Sequence, residues 1–315
     1  MQIIRNSLAN LLNLEQLRSF VLVVETGSFS VAAERLGLTQ PAVSLQVKQL
    51  ERRLAVRLVE RVGKRAGATV AGAELLRQAQ HIEAALESAL DAVASHAAGV
   101  TGRVRLGCGA TACLHFLPPV LRALRLQYPA LSIAVSTGNT DECARKVEDN
   151  LLDLALVTLP VAGRSLLATP ILQDEFVAIR RDGASALKGG VTPAALQAQP
   201  LVLFEPGAST RRLIDRWFAA GDCMPQPVME LGSVEAIKEM VAAGLGYSIV
   251  PRMALTGRSA HPELQSLPLR PRLGRTLALV MRRDKPVSRG MRLLADAIAQ
   301  AGDQARQAGA PPLPA

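Results

Sequence analysis

Leu14, Leu17, Val21 and Val24 recur at helical spacing and stop at Thr26-Gly27, which predicts a first amphipathic helix. Ser30 then caps a short second helix, whose first turn holds the good helix formers Ala32, Ala33, Glu34 and Arg35 and which Gly37 ends. Thr39 in a capping position and Pro41 in the following turn start a third helix at Gln40, running to about Leu54. Along it Val43, Val47, Leu50 and Leu54 fall on one core-facing stripe, while Gln40, Ser44, Lys48 and Arg52 form a second stripe turned away from it. Two helices joined through Gly37-Leu38-Thr39, the second with a donor-rich outer face, make a helix-turn-helix, a motif that lays its second helix in the major groove of DNA.

The pattern then changes twice. Leu58 to Val62 reads as a strand, Gly63-Lys64-Arg65 as a turn and Ala68 to Val70 as a returning strand, a hairpin wing beside the helices. From Ala71 to Ala98 there is no Pro and one early Gly, which predicts a single long helix. Its Leu75, Ile82, Leu86, Leu90 and Val93 recur at three, four and seven, the seam of a helix that dimerises on a partner helix. Gly99 to Gly102 ends it. Beyond lie short apolar runs at 103–107, 132–136, 152–157, 176–180, 201–204, 247–251 and 276–281, with helices between several of them, the signature of βαβ units around largely parallel sheets. Pro160 and the stretch from Pro268 to Pro271 mark two crossings between lobes, with a cleft between them. The expected organisation is a winged domain over 1–70, a linker helix over 71–98 and an α/β domain over 103–300. Its first lobe spans 103–159 plus 271–300 and its second 160–270, and a disordered tail rich in Pro covers 301–315.

Composition sharpens this picture. Of 315 residues 49% are hydrophobic and only 3% aromatic, so the cores are built of Leu, Ala and Val, which suits helices on sheets. The net charge is +9, and Lys48, Arg52, Arg53, Arg57, Arg61, Lys64 and Arg65 against Glu51 and Glu60 place +5 of it around the third helix and wing. Such clustering supplies phosphate contacts and a steep salt dependence. No export signal or membrane-length apolar run is read, so a cytoplasmic protein is expected. Cys108, Cys113, Cys143 and Cys223 lack metal-ligand spacing and are expected as reduced thiols, with no metal and no cofactor. His81, His96, His115 and His261 stand beside no recognisable nucleophile arrangement, so no enzyme is expected.

The N-terminal pattern Leu14, Leu17, Phe20, Val23, Gly27-Ser28, Ala32-Ala33, Leu36, Gln40-Pro41-Ala42-Val43-Ser44, Leu50-Glu51, Leu54 and Leu58-Val59-Glu60-Arg61 resembles the LysR-type transcriptional regulators. So does a later one, Glu230-Leu231-Gly232-Ser233, Glu235-Ala236-Ile237, Val241 to Gly246 and Val250-Pro251. The resemblance runs from about Leu14 to Ala299. One departure lies in the wing, where the family's Leu-Thr before Ala-Gly is here Ala68-Thr69-Val70-Ala71-Gly72. The resemblance implies an effector domain of two Rossmann-like lobes akin to periplasmic binding proteins, and a homodimer or homotetramer on double-stranded promoter DNA. It also implies a small-molecule effector and RNA polymerase as a further partner.

Candidate sites follow. Gln40, Ser44 and Lys48 stand one turn apart and suit base edges, with Pro41 in the same turn and Leu45 apt for a thymine methyl; Arg52, Arg61, Lys64 and Arg65 suit phosphates. The bland alternative is a solvated helix face. Gly107-Cys108-Gly109-Ala110-Thr111-Ala112 nominally fits a dinucleotide fingerprint, but no acidic residue stands at the end of the next strand, so a nucleotide-dependent oxidoreductase is the weaker reading. A helix start offering amides at Ala110 and the Thr111 hydroxyl to an anionic ligand is the stronger one. The resemblance adds Asn139 and Thr140, and the same logic of strand end, small residue and helix start picks out Gly207, Thr210 and Ser233. Each hydroxyl could instead be only a helix cap. A small-molecule binding module with no DNA role is the remaining alternative, and Cys113, in the first turn of the cleft helix, a candidate thiol sensor.

Overall fold

The computed structural model describes residues 12–62, 65–94, 102–183, 189–256 and 260–307. The chain divides into two compact units, Met1–Ser88 and Ala89–Ala315. In the first, α1 (Leu14–Thr26), α2 (Phe29–Leu36) and α3 (Gln40–Leu54) close around Phe20, Val43, Val47 and Leu50, none more than 2% exposed. Helix α2 starts from Ser28, whose hydroxyl accepts from the Val31 amide, so Ser30 lies inside the helix instead of capping it. Gly27 decides this: its left-handed φ of 67° ends α1 and leaves Ser28 extended as the next residue able to cap.

The wing pairs β1 (Val59–Val62) with β2 (Arg65–Ala68), Val62 opposite Arg65, so Arg65 belongs to the returning strand and Val70 already opens α4 (Val70–Ala94). Thr69 sets this boundary. Its amide donates to the Leu58 carbonyl at 3.0 Å, while its hydroxyl donates to the Arg57 carbonyl and accepts from the Gly72 amide. A Cβ at Gly72 would sit 2.0 Å from the Leu58 oxygen, so only glycine allows α4 to press on the strand. The wing's departure from the family pattern is absorbed, since Val70 is 93% exposed. On α4, Leu75 and Ile82 pack on this unit's own core beside buried Ala79, which withdraws two of the five expected seam residues from a partner. Leu86 and Leu90 stay exposed.

In the second unit the strands β3 (Gly102–Cys108), β4 (Leu131–Thr137) and β5 (Leu154–Thr158) are parallel. Next to β5 comes β11 (Gly274–Arg282), then β6 (Leu166–Arg181), on which β9 (Ser248–Pro251) and β10 (Leu264–Pro268) pair, all antiparallel. A separate parallel pair joins β7 (Leu201–Phe204) and β8 (Pro227–Leu231). The sheets are therefore mixed, because the 16-residue strand β6 threads both lobes and β11 runs back beside it. Ile171 and Leu172 sit in the core of the first lobe with Leu106, Leu154, Leu156 and Leu294; Phe176 and Ile179 sit in that of the second with Leu203, Trp217, Phe218 and Ile237. The crossing falls at Gln173-Asp174-Glu175, not at Pro160. Pro170 and those polar residues hide the strand's first half in the sequence, and Pro170 is accommodated at a bulge.

The α-helices described in this unit are α5 (Ala110–His115), α6 (Leu117–Gln127), which follows α5 directly, α7 (Thr140–Glu148), α8 (Pro193–Gln197), α9 (Ser209–Ala219), α10 (Val234–Ala242) and α11 (Arg289–Gln307). Helix α11 continues past the expected start of the tail, since Gly302 lets it lie against the Ile171 backbone. Among the described residues no helix is long and apolar enough to cross a membrane.

Candidate functional site

The polar residues of α3 divide into two sets. Facing α1, Gln49 accepts from buried Gln16 at 2.9 Å and Gln46 accepts from the buried Ser19 hydroxyl. Glu51 binds the Leu58 and Val59 amides at 2.8 and 3.2 Å, fixing β1 to the helix. On the opposite side Gln40, Pro41, Leu45, Lys48 and Arg52 are exposed and Ser44 half-buried. The side chains of Gln40, Ser44, Lys48 and Arg52 make no hydrogen bond or ion pair with another described residue. Arg65 is exposed in β2, where the next amide, Ala66, donates to Gly27 at 2.9 Å. Arg61 belongs to β1 through its backbone, while its side chain and the whole of Lys64 lie outside the described residues.

In the second unit Ala110, Thr111, Asn139, Thr140, Gly207 and Thr210 line one cavity of about 520 Å³ between the lobes. It opens at the carboxyl ends of β3, β4 and β7, where an open α/β sheet leaves a crevice. Ser233 stands outside this lining: it is exposed at the start of α10, and the β8–α10 turn presents Gly232 to the cavity instead. Several lining residues are already spent on the fold. Asn139 and Glu142 form a capping box on α7, each accepting from the other's amide at 2.9 and 3.2 Å. The Thr140 hydroxyl accepts from the Thr158 amide at 3.3 Å, and the Thr140 amide donates to Ser209 Oγ of the other lobe at 3.3 Å. An exposed ion pair, Arg212 to Asp141 at 2.9 Å, spans the same gap. Thr111 is different: it is buried and its side chain makes no hydrogen bond with another described residue.

Arg275, Glu205 and Thr158 also line the cavity, and only the fold brings them there. Buried Arg275 donates from Nε and Nη2 to Asp174 Oδ2 at 3.0 and 2.9 Å, lies 5.4 Å from the centre of the Phe176 ring, and reaches Thr210 Oγ1 from Nη1 at 3.4 Å. Asp174 and Arg275 are cross-strand partners on β6 and β11, a pairing that no sequence spacing announces. Behind the cleft, His115 at the end of α5 places Nε2 3.1 Å from Glu235 Oε1 on α10. Glu235 also accepts from Lys238, which donates to the Ala254 carbonyl. Burial pulls the imidazole below its ordinary pKa of 6.5, with Glu235 pulling the other way.

The glycine-rich turn after β3 has a packing cause. A Cβ at Gly107 would meet Leu152 at 2.5 Å and Cys143 Sγ at 3.2 Å, and Thr137-Gly138 at the end of β4 supplies no carboxylate. Cys108, Cys113, Cys143 and Cys223 are free, and burial pushes the thiols of Cys108 and Cys143 up, Cys108 further so by the neighbouring Cys113. Among the described residues no group of three His, Cys, Asp or Glu could hold a metal ion.

A helix-turn-helix with a free cationic face, a hairpin wing and a two-lobed domain enclosing a cleft define a DNA-binding regulator that carries its own ligand-binding domain. The chain belongs to the LysR family of transcriptional regulators: the family described as "Bacterial regulatory helix-turn-helix protein, lysR family" matches residues 14–73 and "LysR substrate binding domain" matches 97–303. It is 33% identical over 287 residues to the uncharacterized HTH-type transcriptional regulator YeiE of Escherichia coli (strain K12), across 90% of this chain and 96% of that one. A full-length cysteine variant of OxyR from Pseudomonas aeruginosa has a TM-score of 0.69 at 25% identity, covering 91% and 94% of the two chains. Full-length CbnR complexed with its target DNA shares the fold, with a TM-score of 0.73 at 21% identity over 92% and 100%. YeiE is named as a transcriptional regulator, and CbnR is seen complexed with its target DNA.

Proposed function

We propose that Gln40, Ser44 and Lys48 read base edges in the major groove, with Pro41 and Leu45 in apolar contact there, and that Arg52, Arg61, Lys64 and Arg65 neutralise phosphates. The observation that carries this reading is the set of four side chains on the outer stripe of α3 that make no hydrogen bond or ion pair with another described residue. Ligand binding in the cleft modulates the grip on promoter DNA. The ligand is a small metabolite bearing an anionic group, held by the amide end of Ala110, the hydroxyls of Thr111 and Thr210, and the turns at Asn139-Thr140 and Gly207. Ser233 supports α10 without touching it. The regulator acts in the cytoplasm by binding and not by catalysis, as a dimer joined along the exposed Leu86 and Leu90 of α4, or as a tetramer, and it meets RNA polymerase at promoters.

Titration of the chain's own upstream DNA over a salt series tests the DNA half. Ser44→Ala should weaken specific binding by about 1–3 kcal/mol, roughly 5- to 150-fold, and Lys48→Ala should lower the salt slope by about 1. Unchanged affinity and slope in both variants would refute the assignment of the outer face.

A further inference from the structure

We infer that the ligand of the cleft is a zwitterion, its carboxylate held on the threonine side and an ammonium group received by Glu205. The inference rests on the cleft reading above and narrows the ligand class within it.

It comes from the charges that line the cavity. Glu142, Glu205 and Arg275 are the ionisable side chains there. Arg275 cannot act as a free cation, because buried Asp174 already takes two of its donors. The nearby cations are paired away from the lining. Arg211 is engaged by Asp215, Glu230 and the Phe204 carbonyl, and Arg212 by Asp141. With Glu142 held in the capping box, Glu205 is the acidic lining residue whose carboxylate makes no hydrogen bond or ion pair with another described residue. It sits at the turn after β7 and leans across Gly232, its oxygens 3.0 and 3.3 Å from where a Cβ on that glycine would stand.

The cavity and its buried partner Asp174 therefore carry more acid than base. A purely anionic metabolite would enter against that charge. A group that pairs with Glu205 removes the mismatch. At the other end Thr210 already accepts from Arg275, so its own hydrogen is left to donate, and Thr111 has an uncommitted hydroxyl in the same lining. Two hydroxyl donors with an arginine behind them suit a carboxylate, and one free carboxylate suits an ammonium. About 520 Å³ accommodates an amino acid or an ω-amino acid.

Thermal melting of the full-length protein tests this with matched pairs: the twenty standard L-amino acids, ornithine and 4-aminobutanoate, each against the hydroxy acid that replaces its amine. One or more amino acids should raise the melting temperature by about 5 °C at a hundredfold excess over Kd, with the paired hydroxy acid giving less than half of that. Glu205→Gln should remove most of the rise and Glu205→Asp should keep part of it, the unliganded melting temperature moving by less than about 1 °C, as expected at an exposed site. A hydroxy acid that stabilises as well as its amine partner, or no shift with any amino compound, overturns the zwitterion. The underlying cleft reading fails separately, if shifts by any of these acids are indifferent to Thr111→Val.

Discussion

The recognition helix and the ligand cleft use polar residues in opposite ways. On α3 the polar residues that serve the fold, Gln46, Gln49 and Glu51, bond to α1 and to the start of the wing, and those without a bond to another described residue stand together on the outer stripe. In the cleft the two duties share residues: Asn139 caps a helix, Thr140 closes a strand end, and Arg275 answers a buried aspartate, all while lining the cavity. Where the duties are separate, residue identity and spacing suffice to pick out the contacts. Where they overlap, a polar side chain shows its role only after the bonds it already makes are subtracted. Thr111 and Glu205 survive that subtraction, and Asn139 does not.

The largest test of this contrast is Asp174→Ala. It leaves the Arg275 guanidinium buried without its partner, which should cost the α/β domain about 3–5 kcal/mol, read as a large fall in its melting temperature. Non-specific DNA binding by the head should persist at temperatures where both units are folded. A loss below about 1 kcal/mol would mean that the pair is not structural. A smaller effect separates two neighbours in the same lining. Asn139→Ala removes the α7 cap and should cost about 1 kcal/mol, whereas Thr111→Val gives up no bond to a described residue and should leave unliganded stability within about 0.5 kcal/mol while weakening ligand binding. Equal stability losses in the two would dissolve the distinction between cap and contact.

The same distinction explains what could be read from the chain alone. The span of α3, its buried stripe and its free stripe follow from local periodicity and a Thr-Gln-Pro start, because nothing distant alters them. Three helix starts in the cleft were legible for the same reason. The crossing of the lobes was not, because β6 looks broken at Pro170 and at Gln173-Asp174-Glu175, and only its pairing with β11 makes it one strand. Arg275 belongs to the cleft through that pairing, and Glu205 through the turn between β7 and α9. Ser233 failed for the converse reason: it has the local pattern of a helix start, but the turn before it aims Gly232 into the space. Leu75 and Ile82 likewise fit a seam, yet the nearby core of their own unit takes them first.

The smallest expected effect concerns His115, which joins the cleft helix of one lobe to α10 of the other. The imidazole faces Glu235, Lys238 and Asp174, and burial holds its folded pKa below the ordinary 6.5. Between the folded and unfolded values the unfolded chain binds more protons, so stability rises with pH across that window. The contribution is complete above about pH 6.5 and is lost as the pH falls below it, until the folded form is protonated as well. The melting temperature of the α/β domain should therefore fall more between about pH 7 and pH 5.5 in the wild type than in His115→Gln, which has no proton to take up there. Since His115 lies in the second unit, salt-matched DNA affinity of the head should show no difference between wild type and variant over the same range. Parallel melting curves for the two proteins would place His115 outside the balance of the lobes, and a shift in DNA affinity alone would move its role from the cleft to the head.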